Sequence, residues 1–206
     1  MGFDLYGIAP KETEKPELLK KVDSNWGEEY GKLTDKEKDA YHSEYQEWRE
    51  DNPGTYFRNN VWWWRPLWEL VCHFCEDTLS PQDMEEGSFN SGHRIDVDKA
   101  LDMHLNLEDA IKNGKVQEYI TNYICHLDSL EDEDCHVCDG KGKRSLKGTM
   151  DLNWNVIEDD SIQKCKHCEG SGKRPSFKKS YPLNLENVQE FSKFCKLSGG
   201  FEICLL

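Results

Sequence analysis

The chain has 206 residues, and its 40 acidic side chains outnumber 26 basic ones, for a formal net charge of −14 and a pI of about 4.9. That balance excludes a generic nucleic-acid binder, whose affinity rests on Lys and Arg neutralising phosphates. Seven tryptophans and 11% aromatic residues exclude a disordered chain, and the length allows one domain, or one domain carrying an inserted module.

Residues 1–33 read as irregular, punctuated by Gly7, Pro10, Pro16, Gly27 and Gly31. MGFDLYGIAP has neither the basic n-region nor the apolar h-region of a secretory leader, and Tyr6 stands where myristoylation needs Ser or Thr. Thr34 and Glu37 have capping-box spacing, so a helix is expected from Thr34 to Glu50, ended by Asp51-Asn52-Pro53-Gly54. Tyr41, Tyr45 and Trp48 then form one aromatic stripe on it.

The segment YFRNNVWWWRPLW, residues 56–68, is the densest aromatic stretch. Pro66 is expected to open a helix running to about Cys75. Consecutive tryptophans cannot all face one core on either a helix or a strand. Arg58, Asn59, Asn60, Trp62, Trp63, Trp64, Arg65 and Trp68 are therefore candidate ligand contacts. Trp stacks on bases or cations, Arg pairs with phosphate and Asn reads amide edges, a set suited to a small nucleotide-like ligand. The alternative is an aromatic core with stacked arginines.

Ser80-Pro81 signals a short helix. Asp96 caps a longer one with Val97, Leu101, Leu105 and Ala110 at helical spacing, and Gly114 stops it. Val116 to Leu130 continues with Val116, Tyr119, Ile120, Tyr123, Ile124 and Leu127, completing a helical hairpin. Asn184 caps a last helix carrying Leu185, Val188, Phe191, Phe194 and Cys195. Gly199-Gly200 breaks it, and the apolar tail FEICLL reads as a packed strand or extended segment.

An internal repeat stands between these helices. CHVCDGKGKR at 135–144 and CKHCEGSGKR at 165–174 both match C-x-x-C-x-G-x-G-K-R. Two cysteines two residues apart place both sulfurs on one metal from a tight turn, and the glycines supply the positive φ that the turn needs. Two such knuckles bring Cys135, Cys138, Cys165 and Cys168 together as the closed tetrahedral set of a structural zinc site. Nearby lysines and arginines offset part of the thiolate charge. Residues 135–180 hold ten Lys and Arg against six Asp and Glu, a local +4 in an acidic chain. Trp154, between the knuckles, either packs against them or meets a partner. Cys72 and Cys75 form a third C-x-x-C without the glycine pair, so they read as buried thiols, or as a second metal site completed by His93, Cys125 or His126.

The two knuckles resemble the cysteine-rich region of DnaJ-type co-chaperones. That family has four knuckles and two zincs, so two knuckles imply one zinc here. The chain lacks the His-Pro-Asp tripeptide of the family's J-domain, and co-chaperone activity is not implied. MGFDLYG, YFRNNVWWWRPLW and FSKFCKLSGGFEIC resemble segments of small uncharacterised proteins of bacteriophages and their hosts, which implies that kind of origin and no activity.

The expected architecture is mainly α, α+β overall: a helical body at 1–131, an inserted single-zinc ribbon at 132–180, and a C-terminal helix and tail at 181–206. The expected cofactor is one Zn2+ per chain. The odd count of nine cysteines and their metal-type spacing favour a reducing cytoplasm, the host's if phage-encoded. No apolar run approaches the ~18 residues of a membrane helix. P-loop, Rossmann, nucleophile-elbow and H-E-x-x-H signatures are missing. The expected function is a non-enzymatic, zinc-binding interaction protein, in its narrower form a phage factor that binds and inhibits a host or defence protein. The alternative is a small-ligand binder, or an enzyme with an unrecognised site, centred on Trp62 to Trp68.

Overall fold

The computed structural model describes residues 2–145, 147, 148, 150, 154, 156 and 162–204; most of the inter-knuckle segment and the last two residues of the FEICLL tail lie outside them. The chain divides into two compact units, Met1–Asn122 with Tyr181–Leu206, and Tyr123–Ser180. Helices dominate, with small antiparallel sheets. Among the described residues no helix is long and apolar enough to cross a membrane.

The first unit is built on a four-stranded antiparallel sheet in the order β2-β1-β8-β3. Its strands are β1 (Gly2–Gly7), β2 (Tyr56–Asn60), β3 (His93–Ile95) and β8 (Phe201–Cys204). The apolar tail is thus a strand seated between β1 and β3. Residues 1–33 depart from the irregular reading. β1 buries Phe3 and Leu5, and two helices follow, α1 (Glu17–Ser24) and α2 (Trp26–Lys32). Six residues are too few for the alternation of a strand to stand out from sequence alone. The glycine that reads as a breaker at Gly7 serves close packing instead, since a Cβ there would lie 2.2 Å from the Gly54 carbonyl oxygen.

Helix α3 (Asp35–Asp51) carries the expected capping box between Thr34 and Glu37. With α1 it encloses a satellite core of Leu19, Val22, Leu33, Tyr41 and Trp48. Asn52, 1% exposed, latches this layer to the chain before α1. It accepts from the Thr13 amide at 2.6 Å and donates to the Thr13 hydroxyl at 2.8 Å and the Trp48 carbonyl at 2.6 Å.

Helix α4 (Val61–Phe74) starts five residues before Pro66, because the Asn60 carboxamide oxygen accepts from the Trp62 and Trp63 amides at 3.0 and 3.2 Å. Pro66 is buried inside the helix. Helices α6 (Val97–Lys112), α7 (Lys115–Ser129) and α8 (Leu185–Leu197) lie close to the predicted bounds, and α6 packs on α8. The face that α6 buries is Ala100, Met103, Leu107 and Ala110, while Val97, Leu101 and Leu105 are exposed. Both stripes have helical spacing, and packing against α8 and α4 selects between them.

Short helix α5 (Pro81–Glu86) brings Asp83 into a buried charge cluster. Its carboxylate accepts from Lys99 Nζ at 2.6 Å, from the Ser80 amide at 2.9 Å and hydroxyl at 2.7 Å, and pairs with His93 Nε2 at 2.9 Å, tying α5 to β3 and α6. Burial opposes its ionisation, but the hydrogen bonds from Lys99, Ser80 and His93 outweigh it and hold the carboxyl well below the usual range. A depressed folded pKa gives stability that is complete above the unfolded value, ~3.9, and is lost as pH falls from there through the folded value. Urea unfolding is therefore expected to show a loss of stability that begins near about pH 5 and continues below about pH 3. Asp83→Asn should flatten that loss and cost about 1–3 kcal/mol at neutral pH; an unchanged acid limb would assign it to other carboxylates.

Candidate metal centre

The second unit is small, and among its described residues the buried side chains are Cys135, Cys138, Cys165, Cys168 and Ser176. The cysteines form its core cluster, with Val137 packed against them. Strands β4 (Glu133–Asp134) and β5 (Lys143–Ser145) flank the first knuckle, and β6 (Ile162–Lys164) and β7 (Lys173–Arg174) flank the second. β4 pairs with β7 and β5 with β6. The strand before each knuckle therefore pairs with the strand after the other, a two-fold arrangement that repeats the sequence repeat in space. Two backbone bonds follow the same exchange: the Cys135 amide donates to the Gly172 carbonyl at 2.8 Å and the Cys165 amide to the Gly142 carbonyl at 2.9 Å.

Local conformation obeys the repeat as well. Asp139, Gly140 and Gly142 have φ of 48°, 73° and 68°, and Glu169, Gly170 and Gly172 have 50°, 84° and 78°. These left-handed residues curl each turn so that its last glycine amide points at a sulfur. Gly142 donates to Cys138 Sγ at 3.2 Å and Gly172 to Cys168 Sγ at 3.3 Å.

The four ligand atoms lie within 4.8 Å of one another. Cys135 and Cys165 Sγ are 3.9 Å apart, and Cys138 and Cys168 Sγ 3.7 Å. A tetrahedron with zinc–sulfur bonds of ~2.3 Å has edges of ~3.8 Å. The residues present therefore fit one tetrathiolate ion. The Gly172 and Gly170 amides outweigh burial at Cys168 and hold this thiol below its usual pKa, while burial pushes Cys138 up to about 12.

Among the described residues no other group of Cys, His, Asp or Glu has this spacing. Cys72 and Cys75 are raised to about 11 and about 12, first by burial, and Cys75 Sγ faces the Met103 carbonyl at 3.9 Å. His93 is bound to Asp83, and Cys125 is exposed. His136 and His167, the residues between the cysteines that sequence reasoning passed over, meet edge to face with ring centroids 4.9 Å apart. Only their place within the repeat signals that pairing. Trp154 is 81% exposed and so does not pack on the knuckles.

The aromatic segment splits into separate environments. Trp64 and Trp68 are core residues, stacked on each other at 5.3 Å, with their indole nitrogens donating to the Gly87 and Met84 carbonyls. Trp62 lies edge-on to the Tyr181 ring, and Arg65 donates to the Tyr181 hydroxyl at 2.9 Å. Asn60 caps α4. Arg58 pairs with Asp4 at 3.4 Å, and Asn59 donates to Asn187 at 3.0 Å. Trp63 is half-buried and lines a small hollow with Asn59 and Asn187.

A Cβ on Gly172 would lie 2.1 Å from the Gly140 carbonyl oxygen, and one on Gly142 2.3 Å from that of Gly170. Gly172→Ala is thus expected to open the turn and speed metal release to a chromophoric chelator by about tenfold or more. Release at the wild-type rate would show that the amide–sulfur geometry is not what holds the ion.

No protein-family model matches the chain, and no curated protein or solved structure does. The likeness to DnaJ-type knuckles therefore rests on the repeat alone.

Proposed function

We propose that this protein binds one zinc ion through Cys135, Cys138, Cys165 and Cys168, and that it works as a non-enzymatic interaction protein whose zinc-held ribbon meets another protein. The observation that carries the reading is the buried four-sulfur cluster at metal spacing. Four protein thiolates fill a tetrahedral zinc ion and leave no position for water or substrate, which is the signature of a structural site. Zinc also supplies what this unit lacks. With no apolar cluster beyond the sulfurs and Val137 among its described residues, it draws its order from metal binding, worth about 10–16 kcal/mol in small zinc peptides.

The interaction half of the reading is supported by what the ribbon exposes. Met150, Trp154, Val156 and Ile162 are 60%, 81%, 52% and 72% exposed, on an inter-knuckle stretch that is acidic, with Lys147 against Asp151, Glu158, Asp159 and Asp160. An exposed Trp beside apolar neighbours is the kind of anchor that protein interfaces desolvate. The acidity of that stretch supports a partner with a basic face. The narrower form, a phage factor inhibiting a host or defence protein, takes its origin alone from the sequence resemblance of MGFDLYG, YFRNNVWWWRPLW and FSKFCKLSGGFEIC, which implies no activity.

Native mass spectrometry tests the zinc assignment. The intact protein is expected to carry one zinc per chain, and Cys135→Ser to lose it. Two zincs would require a second site, and none would overturn the reading.

A further inference from the structure

Within the first unit, edge strand β2 and helix α8 border two hollows of about 380 and 210 Å³ that share Glu190 in their walls. The larger is lined by three cations, Arg49, Arg58 and Lys193. Their positions are set from beneath. Asp4, 5% exposed, accepts the Tyr56 hydroxyl and holds Arg58 at 3.4 Å. The Tyr56 ring in turn carries the Arg49 guanidinium at 4.2 Å. Among the described residues the side chains of Arg49 and Lys193 make no ion pair, in a chain where carboxylates are in large excess. Glu50 on the rim accepts from Gln46, and with Glu190 it leaves the lining net positive.

The smaller hollow is lined by Trp63, three asparagines and two carboxylates, Glu186 and Glu190. Asn59 Nδ2 donates to Asn187 Oδ1, which leaves Asn187 Nδ2 buried without an acceptor, a rare and costly state in a folded protein. Trp63 lines the same wall. Asn187, Glu190 and Lys193 follow one another at three-residue steps on α8, so the two ends of the pair of hollows lie ~9 Å apart along the helix.

We propose that the two hollows form one binding site for a nucleoside phosphate. The phosphate sits among Arg49, Arg58 and Lys193, where a guanidinium already stacked on a ring offers its fork of donors at little entropic cost. Glu190, between the hollows, accepts from the sugar hydroxyls. The base lies against Trp63, and its acceptors face the unsatisfied amide of Asn187. Of the aromatic segment's candidate contacts, Arg58, Asn59 and Trp63 belong to this site. The zinc centre contributes no residue to it, so the proposal stands or falls apart from the metal.

Isothermal titration calorimetry on the zinc-loaded full chain tests it, with AMP, GMP, CMP, UMP and inorganic phosphate as probes. At least one nucleotide is expected to bind, and more tightly than phosphate. Arg49→Gln and Lys193→Gln should each weaken it by about tenfold or more. Lys193 is exposed, so its replacement leaves folding intact. Arg65→Gln, whose side chain is on Tyr181, should leave the affinity unchanged. Binding of no nucleotide at millimolar concentration, phosphate binding as tightly as the best nucleotide, or affinity indifferent to both cation variants would overturn the proposal.

Discussion

Four thiolates gathered within 4.8 Å repel one another, and only a cation at their centre turns that repulsion into cohesion. Residues 123–180 are organised around this constraint. The left-handed turns exist to aim glycine amides at sulfur, and the crossed pairing of β4 with β7 and β5 with β6 exists to bring one knuckle onto the other. The close approach of Gly142 to Gly170 and of Gly172 to Gly140 closes the pair. Without an ion, burial of the sulfurs has no compensation, because among the described residues no apolar core stands behind them.

The first unit is held differently. Its sheet joins the two ends of the sequence, with β8 between β1 and β3, and its aromatic core of Trp64, Trp68, Phe191 and Phe201 is satisfied by indole bonds to backbone carbonyls. Two buried polar residues tie its layers together: Asn52 latches α3, and Asp83 joins three elements. Asn90 Oδ1 and Asn187 Nδ2 are buried without a partner, and Asn187 lies near Arg49 and Lys193, which make no ion pair among the described residues. A buried amide without a partner beside cations without an ion pair distinguishes this edge from the rest of the unit.

What the sequence made legible follows from how local each signal is. The knuckles could be read because metal ligation demands particular residue types at particular spacing, and Gly140 and Gly170 mark their turns unaided. Helix caps were equally local: Thr34, Ser80, Asp96 and Asn184 cap the helices they were expected to cap. The start of α4 was misplaced because Pro66 is a strong signal that the Asn60 cap overrides. β1 escaped notice because its strand character comes from pairing with residues more than fifty and nearly two hundred positions away. On α6 two apolar stripes had the same period, and only the location of α8 decides between Leu101 and Met103. The same holds for Trp62, Trp63 and Trp64: periodicity says that they face different ways, but not that Trp63 alone borders the hollow beside Asn187.

X-ray absorption at the zinc edge of the purified protein measures the central claim most directly. The account predicts a single shell of four sulfur scatterers at ~2.3 Å. A shell containing nitrogen or oxygen, such as His136 or water in place of a thiolate, would contradict a closed structural centre.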